Sequence, residues 1–105
     1  MYRQGDVLLK EIDVIDINSC ETVDRDEHDR IVLAHGEVTG HSHAIHSKNS
    51  FLMKDKESDK VYLMIVKKEA ELVHEEHTTI ILPIGNYEVI RQREYRPERE
   101  QYVQD

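Results

Sequence analysis

Residues 61–66 read VYLMIV, and the fold is predicted outward from this run. All six residues are apolar or aromatic, and Val61, Ile65 and Val66 are β-branched. A short, continuous apolar run is typical of a strand buried on both faces, because a buried helix usually extends over roughly ten residues or more. We therefore expect residues 61–66 to form a central strand of a β-sheet.

Further short apolar runs lie on both sides of this strand, separated by polar segments. Residues 54–60, KDKESDK, are expected to be an exposed hairpin loop, and the acidic segment 18–30 a solvated loop. Gly85 and Asn86 predict a turn, and Pro83 is expected to end the preceding strand because proline donates no hydrogen bond to a ladder. The remaining predicted strands are residues 7–9, 12–14, 31–34, 51–53, 70–74, 78–82 and 87–91.

The spacing of these runs predicts the fold class. Seven or eight short strands recur at intervals of about 8 to 12 residues, and no segment has the periodicity of an amphipathic helix. We predict an all-β fold in which residues 1–95 form a single small β-barrel or a jelly-roll-like sandwich. Residues 96–105 have little to bury and are predicted to form a polar C-terminal tail or a short terminal helix.

The composition argues against several classes of function. The chain has 14 basic and 22 acidic residues among 105, and its net charge of -8 argues against a broad electrostatic surface for nucleic acid. No segment approaches the roughly 18 apolar residues of a spanning helix, so we expect a soluble, cytoplasmic protein that does not enter the membrane. Cys20 is the single cysteine. A metal would therefore need histidine and carboxylate ligands.

Histidines are concentrated in residues 36–46, GEVTGHSHAIH. Residues two apart on a strand point to the same face, so His41 and His43 are expected to present two imidazoles to one side of a sheet. Imidazole is the side chain most often used for metal ligation and for proton transfer near neutral pH. His35 and His46 need a turn or bulge to join this pair, and we treat them as optional partners.

A second cluster, HEEH, occupies residues 74–77. On a straight strand His74 and Glu76 share one face, whereas Glu75 and His77 share the other. If the fold brings the two clusters together, their nitrogens and one carboxylate suit a divalent Zn, Fe, Mn or Ni ion, and an open position on the metal would allow hydrolysis or binding of a small molecule. The predicted metal ligands are His41, His43, His74, His77 and Glu76, with Glu75 as the alternative oxygen ligand.

Two other interpretations of these residues stay open. In the first, His43 and His77 act as acid and base without a metal, and Arg93 or Tyr95 stabilises an anion, as in phosphodiester cleavage. Arg93 and Tyr95 belong to QREY at residues 92–95, which offers amide, guanidinium and phenol donors just beyond a strand. In the second, the histidines are polar turn residues of a non-catalytic interaction module or phage accessory protein.

Four segments of the chain resemble a family of small uncharacterised bacterial and phage proteins. They are RQGDVLL (3–9), LAHGEVTGHSHAI (33–45), LVHEEHTTIILPIGNYEV (72–89) and QREYRPE (92–98). The resemblance covers nearly the whole chain. It implies no function, but it points to the histidines and acids of these motifs and to QREY as the places to look for a site.

The chain is also similar to cupins, small β-barrels with a His-x-His motif and a glutamate, followed by Pro-x-Gly and a further histidine. Residues 41–43 (HSH) and 83–85 (PIG) stand in that order. No glutamate follows HSH at the expected short distance, and Glu88 or Val89 stands where the last histidine belongs, so His77 would have to replace it. The similarity implies a metal-binding barrel.

Overall fold

The predicted central strand lies inside the larger of two antiparallel β-sheets. The computed structural model describes residues 1–35 and 41–92. Its strands are β1 (Tyr2–Gln4), β2 (Val7–Ile12), β3 (Cys20–Thr22), β4 (Ile31–His35), β5 (Ser42–Ile45), β6 (Ser50–Asp55), β7 (Val61–Ile65), β8 (Ala70–Val73), β9 (Ile80–Leu82) and β10 (Gly85–Arg91), with a short 3-10 helix at Ile17–Ser19. The larger sheet has the order β1-β2-β10-β7-β6-β3, and the smaller has β4-β5-β8-β9.

Strand β7 pairs on both sides, as the sequence of residues 61–66 predicts. Leu63 lies opposite Leu52 of β6 and Tyr87 of β10. Its side chain is fully buried, whereas Tyr62 on the other face is only partly buried. The run is therefore central in its sheet, with one face in the core and the other half-covered.

The two sheets contribute to one hydrophobic core. The larger sheet supplies Leu9, Leu52, Leu63, Ile65 and Tyr87, and the smaller supplies Ile31, Ile45, Ala70, Leu72 and Leu82. Burying a large aliphatic side chain stabilises a fold by about 2 kcal/mol. The shared core therefore holds the sheets together, and the prediction of an all-β fold is confirmed, with no α-helix among the described residues.

Several predicted details are wrong. The described strands form two separate sheets and do not close into a barrel. Gly85 and Asn86 do not form a turn but begin β10, because the chain has already bent at Ile84. Strand β1, and β3 within the predicted loop 18–30, were not expected, since each is a three-residue edge strand with few apolar side chains.

The hairpin between β1 and β2 reaches from one sheet to the other. Gly5 has a φ of 58° at the first central position of the two-residue turn Gly5-Asp6, where a type II′ turn requires a positive φ. Next to this turn, the side-chain amide of Gln4 donates hydrogen bonds to the carbonyl oxygens of Leu72, at 2.9 Å, and Thr78, at 3.0 Å. The edge strand of the larger sheet is thereby bonded to the smaller sheet.

Some predictions fall outside the residues that the structure describes. These are residues 36–40 of the histidine-rich segment, the residues Arg93 and Tyr95, and the tail 96–105. Within the described ranges, no helix has the length and apolar character needed to cross a membrane.

Candidate functional site

The pairing of β5 with β8 aligns the two histidine clusters. Ala44 lies opposite Val73, and Ile45 lies opposite Leu72. One step further along this antiparallel register His43 reaches His74, and the centroids of their rings are 4.3 Å apart. Two motifs that are distant in the sequence therefore meet because their flanking strands are neighbours.

Four imidazole rings form one group at the end of this strand pair. The ring centroid of His74 lies 5.6 Å from that of His41 and 4.6 Å from that of His77. The rings of His43 and His77 are stacked at 5.7 Å, with 21° between their planes. The chain bends at residues 75–77, so His74 and His77 reach the same group although a straight strand would point them differently.

The group extends from the core to the surface. His43 shares a strand face with the core residue Ile45, and its side chain is only 3% exposed. His74 is also buried, the side chain of His41 is 23% exposed, and His77 is exposed. The site therefore lies at one end of the core between the sheets, and its outer half is open to solvent.

Two carboxylates in the loop after β8 lie beside the histidines. The backbone N–H of Ser42 donates to Glu75 Oε1 at 3.0 Å, and this bond is the main cause that lowers the pKa of Glu75. Glu76 Oε1 lies 3.6 Å from His41 Nδ1, which is beyond hydrogen-bond distance. The N–H of Glu76 donates instead to His74 Nδ1 at 3.0 Å. A main-chain bond thus holds the carboxylate of Glu75, whereas Glu76 is held through its backbone N–H.

The β1–β2 hairpin supplies polar groups that the sequence analysis did not assign to the site. Gln4 Oε1 lies 2.8 Å from His43 Nδ1. The Asp6 carboxylate is buried; its Oδ1 lies 3.8 Å from His43 Nε2, and its Oδ2 accepts hydrogen bonds from Arg91 Nη2 at 3.0 Å and Nε at 3.3 Å. The signal for these residues is QGD within RQGDVLL, since a glycine-containing pair between extended residues is typical of a hairpin turn.

Gly5 lets the hairpin approach two of the rings. A Cβ at this position would lie 2.9 Å from His77 Nε2 and 3.2 Å from His43 Cε1. Real Cβ atoms essentially never approach other atoms as closely as the first distance. The glycine is therefore needed both for the positive φ of the turn and for the packing of the histidines against the backbone.

Burial keeps the two inner histidines neutral. It lowers the pKa of His43 to about 4; the nearby His74 adds to this effect, and Asp6 opposes it. Burial also lowers the pKa of His74, with His77 as the next cause. Both rings are therefore neutral at pH 7, the form in which imidazole binds metals and accepts protons.

Three of the clustered residues form a group that could hold a metal ion. His41, His74 and Glu75 each offer one ligand atom, and these atoms all lie within 4.8 Å of one another. His41 Nδ1 is buried and has no hydrogen-bond partner within the described part of the chain. Of the predicted ligands, His43, His77 and Glu76 lie next to this set but are not part of it.

The remaining sequence candidates lie elsewhere. His35 pairs with Ser42 across β4 and β5 but is exposed, and His46 is exposed beyond the other end of β5. Gln92, the one residue of QREY that is described, receives a hydrogen bond from Arg3 and donates its N–H to the Asp6 carbonyl at 2.8 Å. It therefore supports the hairpin.

A family model described as Domain of unknown function (DUF8820) matches residues 3–92. The chain belongs to this family. The hairpin, the four clustered histidines and both glutamates all lie within the part that DUF8820 covers. No curated protein and no solved structure matches the chain. Membership of an uncharacterised family is thus confirmed, while the similarity to cupins stays a prediction.

Proposed function

We propose that the protein binds a divalent transition-metal ion through His41, His74 and Glu75. The observation that carries this proposal is the convergence of one ligand atom from each residue within 4.8 Å. The buried, unpartnered Nδ1 of His41 supports it, because a buried nitrogen without a partner costs about 1–3 kcal/mol that a bound ion would offset. The neutral state of His74 supports it as well, since protonated imidazole binds no metal.

The ligand types suit Zn, Fe, Mn or Ni. Two imidazoles and one carboxylate leave one position of a tetrahedral ion open, as in catalytic zinc sites. Ligand atoms on such an ion are about 3.4 Å apart, so the three side chains close inward on binding. An open position beside the neighbouring imidazoles would bind a small molecule or activate water for hydrolysis.

Metal binding at His74 has a structural consequence in the loop. His74 Nδ1 accepts the N–H of Glu76, so the proton of the neutral ring is on Nε2. Ligation through Nδ1 displaces this hydrogen bond, and ligation through Nε2 moves the ring proton to Nδ1, which also breaks it. We therefore expect the backbone amide of Glu76 to report metal binding directly.

Elemental analysis of full-length protein purified without a histidine tag tests the proposal. We expect about one transition-metal ion per chain and a shift of the Glu76 amide resonance when metal is added to chelator-treated protein. His41→Ala should lower the affinity by at least about tenfold, whereas His46→Ala, an exposed histidine of the same segment, should not. The proposal fails if the wild type holds no stoichiometric metal or if His41→Ala binds it as well as the wild type.

One observation favours a second use of the same histidines, namely acid and base chemistry without a metal. His43 and His77 are stacked, one buried and one exposed, and the Asp6 carboxylate lies 3.8 Å from His43 Nε2. A buried base next to an exposed acid is an arrangement suited to proton transfer, with Arg93 or Tyr95 as the proposed anion-stabilising groups. Activity that persists in chelator would favour this function, and complete inhibition by chelator would reject it.

The predictions about the type of sandwich, the localisation and the partners are likewise proposals. Two sheets around one core support a jelly-roll-like, cupin-like sandwich, in which the site lies at one end. We propose a cytoplasmic protein whose partner is a small molecule or metal ion. The interaction or phage accessory module, in which the histidine motif is structural, stays the third alternative. Scattered histidines would have excluded both site hypotheses, and the described histidines of the two motifs are clustered.

A further inference from the structure

The side-chain amide of Gln4 has a single orientation that satisfies its surroundings. Its nitrogen lies 2.9 Å from the carbonyl oxygen of Leu72 and 3.0 Å from that of Thr78. Carbonyl oxygens only accept hydrogen bonds, so both of these contacts require the NH2 group. The amide oxygen is thereby placed toward His43 Nδ1, at 2.8 Å.

This orientation determines which nitrogen of His43 carries the proton. An amide oxygen is only an acceptor, so the 2.8 Å contact requires that Nδ1 of His43 carry a hydrogen. In the neutral ring Nε2 then has a free lone pair. Nε2 is the atom on the side of Asp6, 3.8 Å from its Oδ1.

We propose that Gln4 is a positioning residue that holds His43 in the Nδ1–H tautomer, so that the lone pair of Nε2 is on the side of Asp6. Two further contacts hold the ring in place. The stacked ring of His77 lies on one side, and the close approach of Gly5 leaves no room for a Cβ. Since Gln4 is itself 2% exposed and bonded through both ends of its amide, the restraint is rigid.

The role of this lone pair rests on the proposed metal site. A divalent ion held by His41, His74 and Glu75 would supply Lewis-acid activation of a bound water or small molecule. The ring of His43 lies 4.3 Å from that of His74. With its proton fixed on Nδ1, it would offer the unprotonated Nε2 as a hydrogen-bond acceptor to such a group.

Nitrogen NMR of the full-length, isotope-labelled protein tests the tautomer without reference to activity. The protonated and unprotonated ring nitrogens of a neutral imidazole have widely separated 15N resonances. At pH 7 in chelator we expect His43 to show protonated Nδ1 and unprotonated Nε2, with the other tautomer at least about tenfold less populated. Observation of Nε2–H as the main tautomer would overturn the proposal.

Substitution of Gln4 tests whether this residue determines the tautomer of His43. Gln4→Met keeps the volume and removes the acceptor, so His43 should become a mixture of both tautomers. Gln92→Met, which removes a partly buried glutamine bonded to Arg3, is the matched control and should leave His43 unchanged. A Gln4→Met protein with the wild-type tautomer would contradict the assigned role.

The two proposals fail in distinguishable ways. If elemental analysis finds no metal and the Nδ1–H tautomer is present, the metal site is wrong and the positioning by Gln4 stands. If metal binds but His43 is protonated on Nε2, the metal site stands and the role of Gln4 is wrong. The nitrogen spectra of the wild type alone decide which nitrogen of His43 is protonated, even if a Gln4 variant does not fold.

Discussion

The buried ring of His43 makes the stability of the fold depend on pH. Its pKa is about 4 in the folded protein, against an ordinary value of 6.5 that we take for the unfolded chain. Between these values the unfolded chain binds the proton and the folded protein does not, so acidification favours unfolding. The contribution of the neutral His43 ring to the free energy of unfolding is complete above pH 6.5 and is lost as the pH falls toward 4.

The size of this effect follows from the pKa difference. Each tenfold difference in proton affinity corresponds to about 1.4 kcal/mol, so the loss is about 2 kcal/mol at pH 5 and approaches about 3 kcal/mol near pH 4. A small domain has only about 5–15 kcal/mol of stability in total. Protonation of this one histidine therefore removes a considerable part of the free energy of unfolding.

Urea unfolding in chelator at pH 7, 6 and 5 measures the effect. His43→Asn keeps a nitrogen donor toward Gln4 but does not titrate, so its stability should fall by about 2 kcal/mol less than that of the wild type between pH 7 and pH 5. The matched control is His46→Asn at an exposed position, and it should follow the wild type. Parallel curves for the wild type and His43→Asn would refute the argument that burial keeps this ring neutral.

Three further predictions concern packing and the metal site. Gly5→Ala should lower the free energy of unfolding, measured in urea, by about 1–2 kcal/mol, because alanine is strained at a positive φ and its Cβ would lie 2.9 Å from His77 Nε2 and 3.2 Å from His43 Cε1; a gain in stability would contradict this. Leu63→Ala should cost about 2–5 kcal/mol with an unchanged denaturant slope, since the residue is fully buried between both sheets; a loss below 1 kcal/mol would contradict the assigned core. Glu75→Gln keeps an oxygen for the N–H of Ser42 but removes the charge. The zinc affinity, measured by competition titration, should therefore fall at least about tenfold, while the free energy of unfolding measured in chelator should change little; an unchanged affinity would exclude Glu75 as a ligand.

Strands with strong apolar patterns could be predicted from the sequence, and weak ones could not. Residues 61–66 and 31–34 contain little except aliphatic and aromatic side chains, and both form strands. Strand β1, Tyr2–Gln4, carries an exposed arginine and a buried glutamine, so its pattern resembles that of a loop. Its place is set by pairing with β2 and by the bonds of Gln4, both of which are tertiary.

The candidate site shows the same division. Spacing alone predicts that His41 and His43 share a strand face, because a strand has a period of two. In the structure β5 begins at Ser42, so His41 precedes the strand, and its ring lies beside that of His74. The contact between His43 and His74 depends on β5 pairing with β8 in one register, which no local pattern specifies. Asp6 could not be recognised as part of the site because acidic residues are usually exposed, and its buried carboxylate is bonded to Arg91, which is distant in the sequence.

The hydrogen bonds of Gln4 also affect local unfolding of this protein. A three-residue strand at a sheet edge normally frays first, at low free energy and without effect on the rest of the molecule. Here the release of Tyr2–Gln4 from β2 also breaks the contacts to Leu72, Thr78 and His43. The strand Tyr2–Gln4 and the innermost histidine therefore belong to one cooperative unit. A change that loosens the packing of His43 should also speed the amide exchange of Tyr2–Gln4.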